Sequence, residues 1–181
     1  MSDIKVASRY AKSIFELASE KGTLEQTSQD FKLIEEVCEQ NREFTLMLKN
    51  PIIDISKKWE IVKAIFEGKV SDLTLRFLQV VNDKKRIDHI RSIADSFEAR
   101  YNEKNGIIKA HLETTFQLDA EQFSQFEQIA LARTGAKAVQ LEAAVNPALI
   151  GGYIFRIGDQ MIDNSVKNRL TKLRQSLTAK V

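Results

Sequence analysis

The chain has 181 residues, 43% of them hydrophobic, and 27 Lys and Arg stand against 25 Asp and Glu for a net charge of +2. So even a balance excludes a protein whose main business is non-specific nucleic-acid binding. The single cysteine, Cys38, excludes an internal disulfide, and no apolar run approaches the ~20 residues that span a bilayer.

Two prolines and seven glycines predict long, uninterrupted helices. The first is expected from about Asp3 to Lys21. Ala7, Ala11, Ile14 and Ala18 form one apolar stripe on it, and Val6, Tyr10 and Leu17 form a second. A helix on the outside of a bundle needs only one such face. Two faces imply either a central helix or a partner on the second side. Gly22 stops this helix, and Thr23 with Gln26 has the spacing of a capping box for the next. That second helix places Leu24, Phe31, Ile34 and Cys38 on one face, so Cys38 reads as a small core residue. A short helix, Arg42–Leu48, ends before Asn50-Pro51. Ser56 is the expected cap of a fourth helix, with Trp59, Val62 and Phe66 facing one way and Gly68 closing it.

Ser71 opens the fifth helix, to about Asp83. Leu73, Phe77, Val80 and Val81 are assigned to one side and Leu75 and Leu78 to another, again more than one stripe. Lys84-Lys85-Arg86 follows, a basic cluster that compensates the helix dipole. The sixth helix, Ile87 to about Glu103, keeps a single stripe of Ile87, Ile90, Ala94, Phe97 and Tyr101.

At Asn105-Gly106 the period changes to two. Ile108, Ala110, Leu112 and Thr114 alternate with Lys109, His111 and Glu113, the pattern of a half-buried strand. Asp119 with Gln122 makes a capping box, and Leu118 is placed to staple onto Phe123. The helix they start carries Phe126 and Ala130 and ends at Gly135. Val139, Leu141, Ala143 and Val145 alternate in a second strand. Asn146-Pro147 then breaks the chain, and Gly151-Gly152 admits it to a strand at an angle that a Cβ forbids. Tyr153, Phe155 and Ile157 give that strand one buried face. Gly158-Asp159 turns it, Met161-Ile162 returns, and Asp163 or Ser165 caps a last helix. There Val166, Leu170, Leu173 and Leu177 form one stripe flanked by Lys167, Arg169, Lys172 and Arg174, suited to packing on the sheet or to docking a partner helix.

The expected fold is α+β and mostly α: a six-helix bundle over residues 1–104, then a small α+β domain over 105–181 with four short strands and two helices. Two distant histidines and one core-facing cysteine assemble no catalytic set, and HExxH, CxxC, GxSxG and phosphate-loop patterns are absent. The Gly-Gly pair precedes a strand rather than a helix, so it makes no phosphate cradle. The expectation is therefore an interaction protein without cofactor or metal, and not an enzyme. A bundle carrying Lys84-Lys85-Arg86 also fits an RNA-binding protein of the transcription-antitermination type, which leaves the α+β half unexplained.

Three groups of residues carry a resemblance that spans the chain. The first is Ala7-Ser8-Arg9-Tyr10-Ala11-Lys12-Ser13-Ile14-Phe15-Glu16-Leu17-Ala18. The second is Leu48-Lys49-Asn50-Pro51-Ile52 with Phe77-Leu78 and Lys85-Arg86-Ile87. The third, and most specific, is Asn146-Pro147-Ala148-Leu149-Ile150-Gly151-Gly152, Arg156-Ile157-Gly158-Asp159 and Ile162-Asp163-Asn164-Ser165-Val166. With these the sequence resembles the delta subunit of F-type ATP synthase, the relative of the mitochondrial oligomycin-sensitivity-conferring protein. The resemblance implies a non-catalytic stator in the peripheral stalk, one copy per complex, serving ATP synthesis coupled to hydrogen ion transport. It implies that the helical domain grips N-terminal helices of the alpha subunits with its first and fifth helices. The C-terminal domain would hold the b subunits. The two gripping helices are the two that periodicity marks as over-apolar, so Tyr10, Ser13, Ile14, Phe77, Val80 and Val81 are the expected partner-binding residues. Met1-Ser2-Asp3-Ile4-Lys5 lacks an Arg-rich transit pattern. The expected location is the cytoplasmic face of a bacterial inner membrane, reached through the complex, without direct membrane insertion or nucleic acid.

Overall fold

The computed structural model describes residues 3–178. Two compact units divide between Tyr101 and Asn102. The described residues hold eight α-helices and one four-stranded sheet, an α+β fold that is mostly helical.

The first unit contains α1 (Asp3–Glu20), α2 (Leu24–Gln40), α3 (Arg42–Lys49), α4 (Ile55–Phe66) and α5 (Asp72–Asp83), and α6 (Ile90–Asn105) runs out of it. Ala7, Ala11, Ile14 and Ala18 of α1 are buried, the small residues letting its backbone approach its neighbours closely. Against them lie Phe31, Ile34 and Cys38 of α2, Leu78 and Val81 of α5, and Ile93, Ala94 and Phe97 of α6. Phe31 stacks on Phe97 with ring centres 4.5 Å apart.

Three local expectations are corrected here. Thr23 and Gln26 make no capping box, and the Thr23 hydroxyl has no hydrogen-bond partner among the described residues. The Gly22 amide donates to the Ser19 carbonyl and the Thr23 amide to the Ala18 carbonyl. Thr23 is thus committed to closing α1 in a Schellman turn and cannot take the extended geometry of an N-cap. Asp54, not Ser56, stands at the start of α4. Ile87–His89 form a separate 3-10 turn, so α6 begins at Ile90. Ser71 does cap α5, its hydroxyl accepting from the Thr74 amide at 3.4 Å.

The second unit contains β1 (Ile107–Thr114), α7 (Ala120–Thr134), β2 (Ala138–Val145), a 3-10 turn (Pro147–Leu149), β3 (Tyr153–Ile157), β4 (Gln160–Asp163) and α8 (Val166–Thr178). The strand order is β2-β1-β3-β4. β1 and β2 are parallel, which requires a crossover, and α7 supplies it. The other pairs are antiparallel. Asp119 and Gln122 form the expected capping box on α7. Ala110 opposes Leu141 and Ile157, and Leu112 opposes Phe155. This face packs against Phe123, Phe126 and Ala130 of α7, with Phe126 edge-on to both Tyr153 and Phe155. Ala143 and Val145 share the face but stay exposed, because β2 is an edge strand.

The sequence leaves the last helix open to packing on the sheet or to docking a partner helix. No residue of α8 is buried. Its Val166, Leu170, Leu173 and Leu177 stripe does not pack on the sheet.

Candidate protein-docking faces

The first face is built on α1 and α5. Each helix carries two adjacent stripes, and the core takes one of them. On α1 the core takes Ala7, Ala11, Ile14 and Ala18. This leaves Val6, Tyr10, Ser13 and Leu17 outward at helical spacing, with Leu17 40% exposed. On α5 the core takes Thr74, Leu78, Val81 and Asn82. This leaves Leu73, Phe77 and Val80 outward, with Val80 50% exposed. Tyr10 meets Phe77 edge-to-face, ring centres 6.4 Å apart, and so joins the two outer stripes. Phe77 in turn reaches Phe31 of the core at 5.9 Å.

Of the six partner-binding residues expected from sequence, Tyr10, Ser13, Phe77 and Val80 lie on this outer face. Ser13 is exposed, its hydroxyl donating back to the Arg9 carbonyl. Ile14 and Val81 do not lie there. They are 1% and 0% exposed and belong to the core. Val80 and Val81 are consecutive and point about 100° apart on a helix, so only one of them can face outward. Val6, Leu17 and Leu73 complete the face in their place. Val6 and Leu17 already stood in the second sequence stripe.

One end of this face opens into a cleft of about 480 Å³ lined by Val6, Arg9, Tyr10, Ser13 and Arg86. Arg86 reaches it through a turn at the end of α5. The Lys85 amide donates to the Asn82 carbonyl and the Arg86 amide to the Val81 carbonyl. This is the same Schellman closure that Gly22 gives α1, yet here Lys85 occupies the left-handed position at φ 58°. Periodicity gave no reason to single out Arg9 or Arg86, since both are charged residues beside an apolar stripe.

The second face is α8. Val166, Leu170, Leu173 and Leu177 are 37–64% exposed, a continuous apolar stripe on a helix that buries no residue. Its root is held firmly. The Asp163 carboxylate accepts from the Ser165 hydroxyl at 2.7 Å and the Ser165 amide at 3.0 Å. Those bonds, the hydroxyl one foremost, hold its pKa below the ordinary carboxylate value. The Ser165 hydroxyl then accepts from the Asn168 amide as the helix cap. The Val166 amide donates to the Gly151 carbonyl and the Asn164 amide to the Tyr153 carbonyl. Gly152 sits at φ 76°, and a Cβ there would run into the Asn164 carbonyl. The glycine pair therefore exists to let β3 pass against the start of α8. Asn146 closes the other side, its amide group donating to Glu113 at 2.7 Å and its oxygen accepting from the Ala148 amide.

No group of three His, Cys, Asp or Glu that suits a metal ion occurs among the described residues, and none of their helices is long and apolar enough to cross a membrane.

Comparison with known proteins identifies the family. The family model described as ATP synthase delta (OSCP) subunit matches residues 6–177. The chain is 38% identical over 175 residues to the ATP synthase subunit delta of Desulforamulus reducens, covering 97% of this chain and 96% of that one. It is 34% identical over 181 residues to the subunit of the same name from Cytophaga hutchinsonii, covering 100% and 98%. Among solved structures, a chain of the cryo-EM composite model of the Toxoplasma gondii mitochondrial ATP synthase hexamer shares the fold. Its TM-score is 0.75 at 23% identity, over 95% of this chain and 97% of that one. These matches lend no support to an RNA-binding bundle of the antitermination type. The chain belongs to the ATP synthase delta (OSCP) subunit family, whose members are non-catalytic stator components of that complex.

Proposed function

We propose that this stator chain works as a two-ended coupling between the catalytic head and the peripheral stalk. Residues 1–104, read as a six-helix bundle, take the N-terminal helix of an alpha subunit across Tyr10, Ser13, Phe77 and Val80. Residues 105–181 form the second domain and present the α8 leucine stripe to the b subunits, with Lys167, Arg169, Lys172 and Arg174 beside it. One copy joins each complex. It sits at the cytoplasmic face of a bacterial inner membrane and is held there by its partners.

The observation that carries this reading is exposed apolar surface within each unit, Leu17 and Val80 in the first and the α8 stripe in the second. Val80, Leu170 and Leu173 are about half exposed, so burying what remains of each is worth about 0.8–1.5 kcal/mol, a gain that summed over a face offsets the ordering of a flexible partner peptide. A mechanical coupling needs strength and no chemistry.

The test takes the two faces separately. Val80→Asp in the full chain should cut affinity for a synthetic alpha N-terminal peptide by at least about tenfold, while binding to the b stalk is kept. Leu170→Glu with Leu173→Glu should do the reverse. Calorimetric titration of both partners against both variants checks this. A variant that folds and binds both partners normally removes the corresponding face.

A further inference from the structure

We propose that Arg9 and Arg86 form a carboxylate clamp at one end of the α1–α5 face. The helix that docks there would carry an Asp or Glu placed between the two guanidinium groups. That contact fixes the register and direction in which the helix lies. The inference rests on the reading of this face as the alpha-subunit site and adds to it the charge that the occupant must carry.

An apolar stripe by itself selects little. Tyr10, Phe77 and Val80 accept any amphipathic helix of suitable width, shifted by a turn or reversed end for end. Something polar must set the position. The cleft of about 480 Å³ beside Tyr10 has Val6 and Tyr10 as apolar lining, and Arg9 and Arg86 are the charged residues of its described lining. No described carboxylate forms an ion pair with either guanidinium. Ser13, also in the lining, spends its hydroxyl proton on the Arg9 carbonyl and keeps its lone pairs as acceptors. The cleft is therefore a cationic end on an apolar face, and the complementary group is an anion on an apolar helix.

The chain holds Arg86 there at a cost. Lys85 at φ 58° takes the left-handed conformation that a glycine adopts without strain. Through this turn the Arg86 amide closes on the Val81 carbonyl at 3.0 Å, and the Arg86 side chain lines the cleft with residues of α1. Arginine suits the task because its planar donors meet a carboxylate in a two-point geometry that a lysine cannot offer.

The experiment uses the full chain and a synthetic alpha N-terminal peptide, titrated at low and at high salt. Arg9→Gln with Arg86→Gln should weaken binding about 10–100-fold and flatten its salt dependence. Replacing the peptide's acidic residues one at a time by their amides should reproduce that loss at one position. The same replacement should cost nothing further in the doubly substituted chain. Arg86→Glu should be rescued by a lysine at that peptide position. Unchanged affinity and salt slope in the double variant, with binding still abolished by Val80→Asp, would overturn the clamp while leaving the face intact. If Val80→Asp also binds normally, the face itself is misassigned and the clamp falls with it.

Discussion

Asp30 of α2 ties down the start of α5 through Ser71: its Oδ2 accepts from the Ser71 amide at 3.0 Å and also from the Ser71 hydroxyl. The same oxygen accepts from the Thr74 hydroxyl at 2.7 Å. Asp30 is 6% exposed and Thr74 fully buried, so these bonds work out of water. Since α5 carries half of the α1–α5 face, this one carboxylate sets where Phe77 and Val80 stand. Asp30→Ala should leave three donors without their acceptor and destabilise the first unit by about 2–4 kcal/mol. Urea denaturation followed by Trp59 fluorescence reads the loss. Weaker binding of the alpha peptide should accompany it even in the fraction that stays folded.

Gly152 is the position where the second unit tolerates change least. Its φ of 76° and the Asn164 carbonyl beside its missing Cβ act together. Gly152→Ala should cost about 3 kcal/mol or more, since strain in the left-handed region adds to a backbone collision. Gly151→Ala meets only the Val166 Cγ2 atom at 2.9 Å, a side-chain methyl at the root of α8. It should cost less and shift α8 rather than unfold the sheet. Amide exchange of β3 and α8 in the two variants separates these outcomes.

Burial pushes the Cys38 thiol up to about 11. The folded chain therefore holds the thiol proton more tightly than the unfolded chain does. Its contribution to stability is intact below the unfolded pKa near ~8.5–9 and is lost as pH rises from there through about 11. Stability should fall by about 1.4 kcal/mol per pH unit at the steepest part of that window from this group alone. Cys38→Ala should remove that part of the slope, measured as denaturation midpoints across alkaline pH. In the native chain, alkylation of Cys38 at neutral pH should wait on unfolding, because the 3% exposed thiol is both protonated and covered.

Much of this protein was readable in one dimension. The stops at Gly22, Gly68, Gly106 and Gly135 are local, set by a left-handed φ that glycine alone adopts freely. The strands of the second unit followed from alternation, and Asp119 with Gln122 capped α7 as spaced. Doubled stripes on α1 and α5 marked both helices as carrying more apolar surface than one core face needs. In each case the determining interaction lies within a few residues along the chain, where the sequence states it directly.

Other features waited for the tertiary structure. Two stripes on one helix do not say which is inside, and only the neighbouring helices assigned Ile14 and Val81 to the core and left Leu17 and Val80 exposed. Thr23 has the composition of a cap but was taken by the turn that closes α1. The leucines of α8 look like core residues in any window, and it took the folded sheet to leave them bare. Arg9 and Arg86 lie 77 positions apart and line one cleft only in the folded chain. Periodicity reports how much apolar surface an element owns. Which of that surface meets the rest of the chain, and which is left for another protein, is decided by packing between segments far apart in sequence.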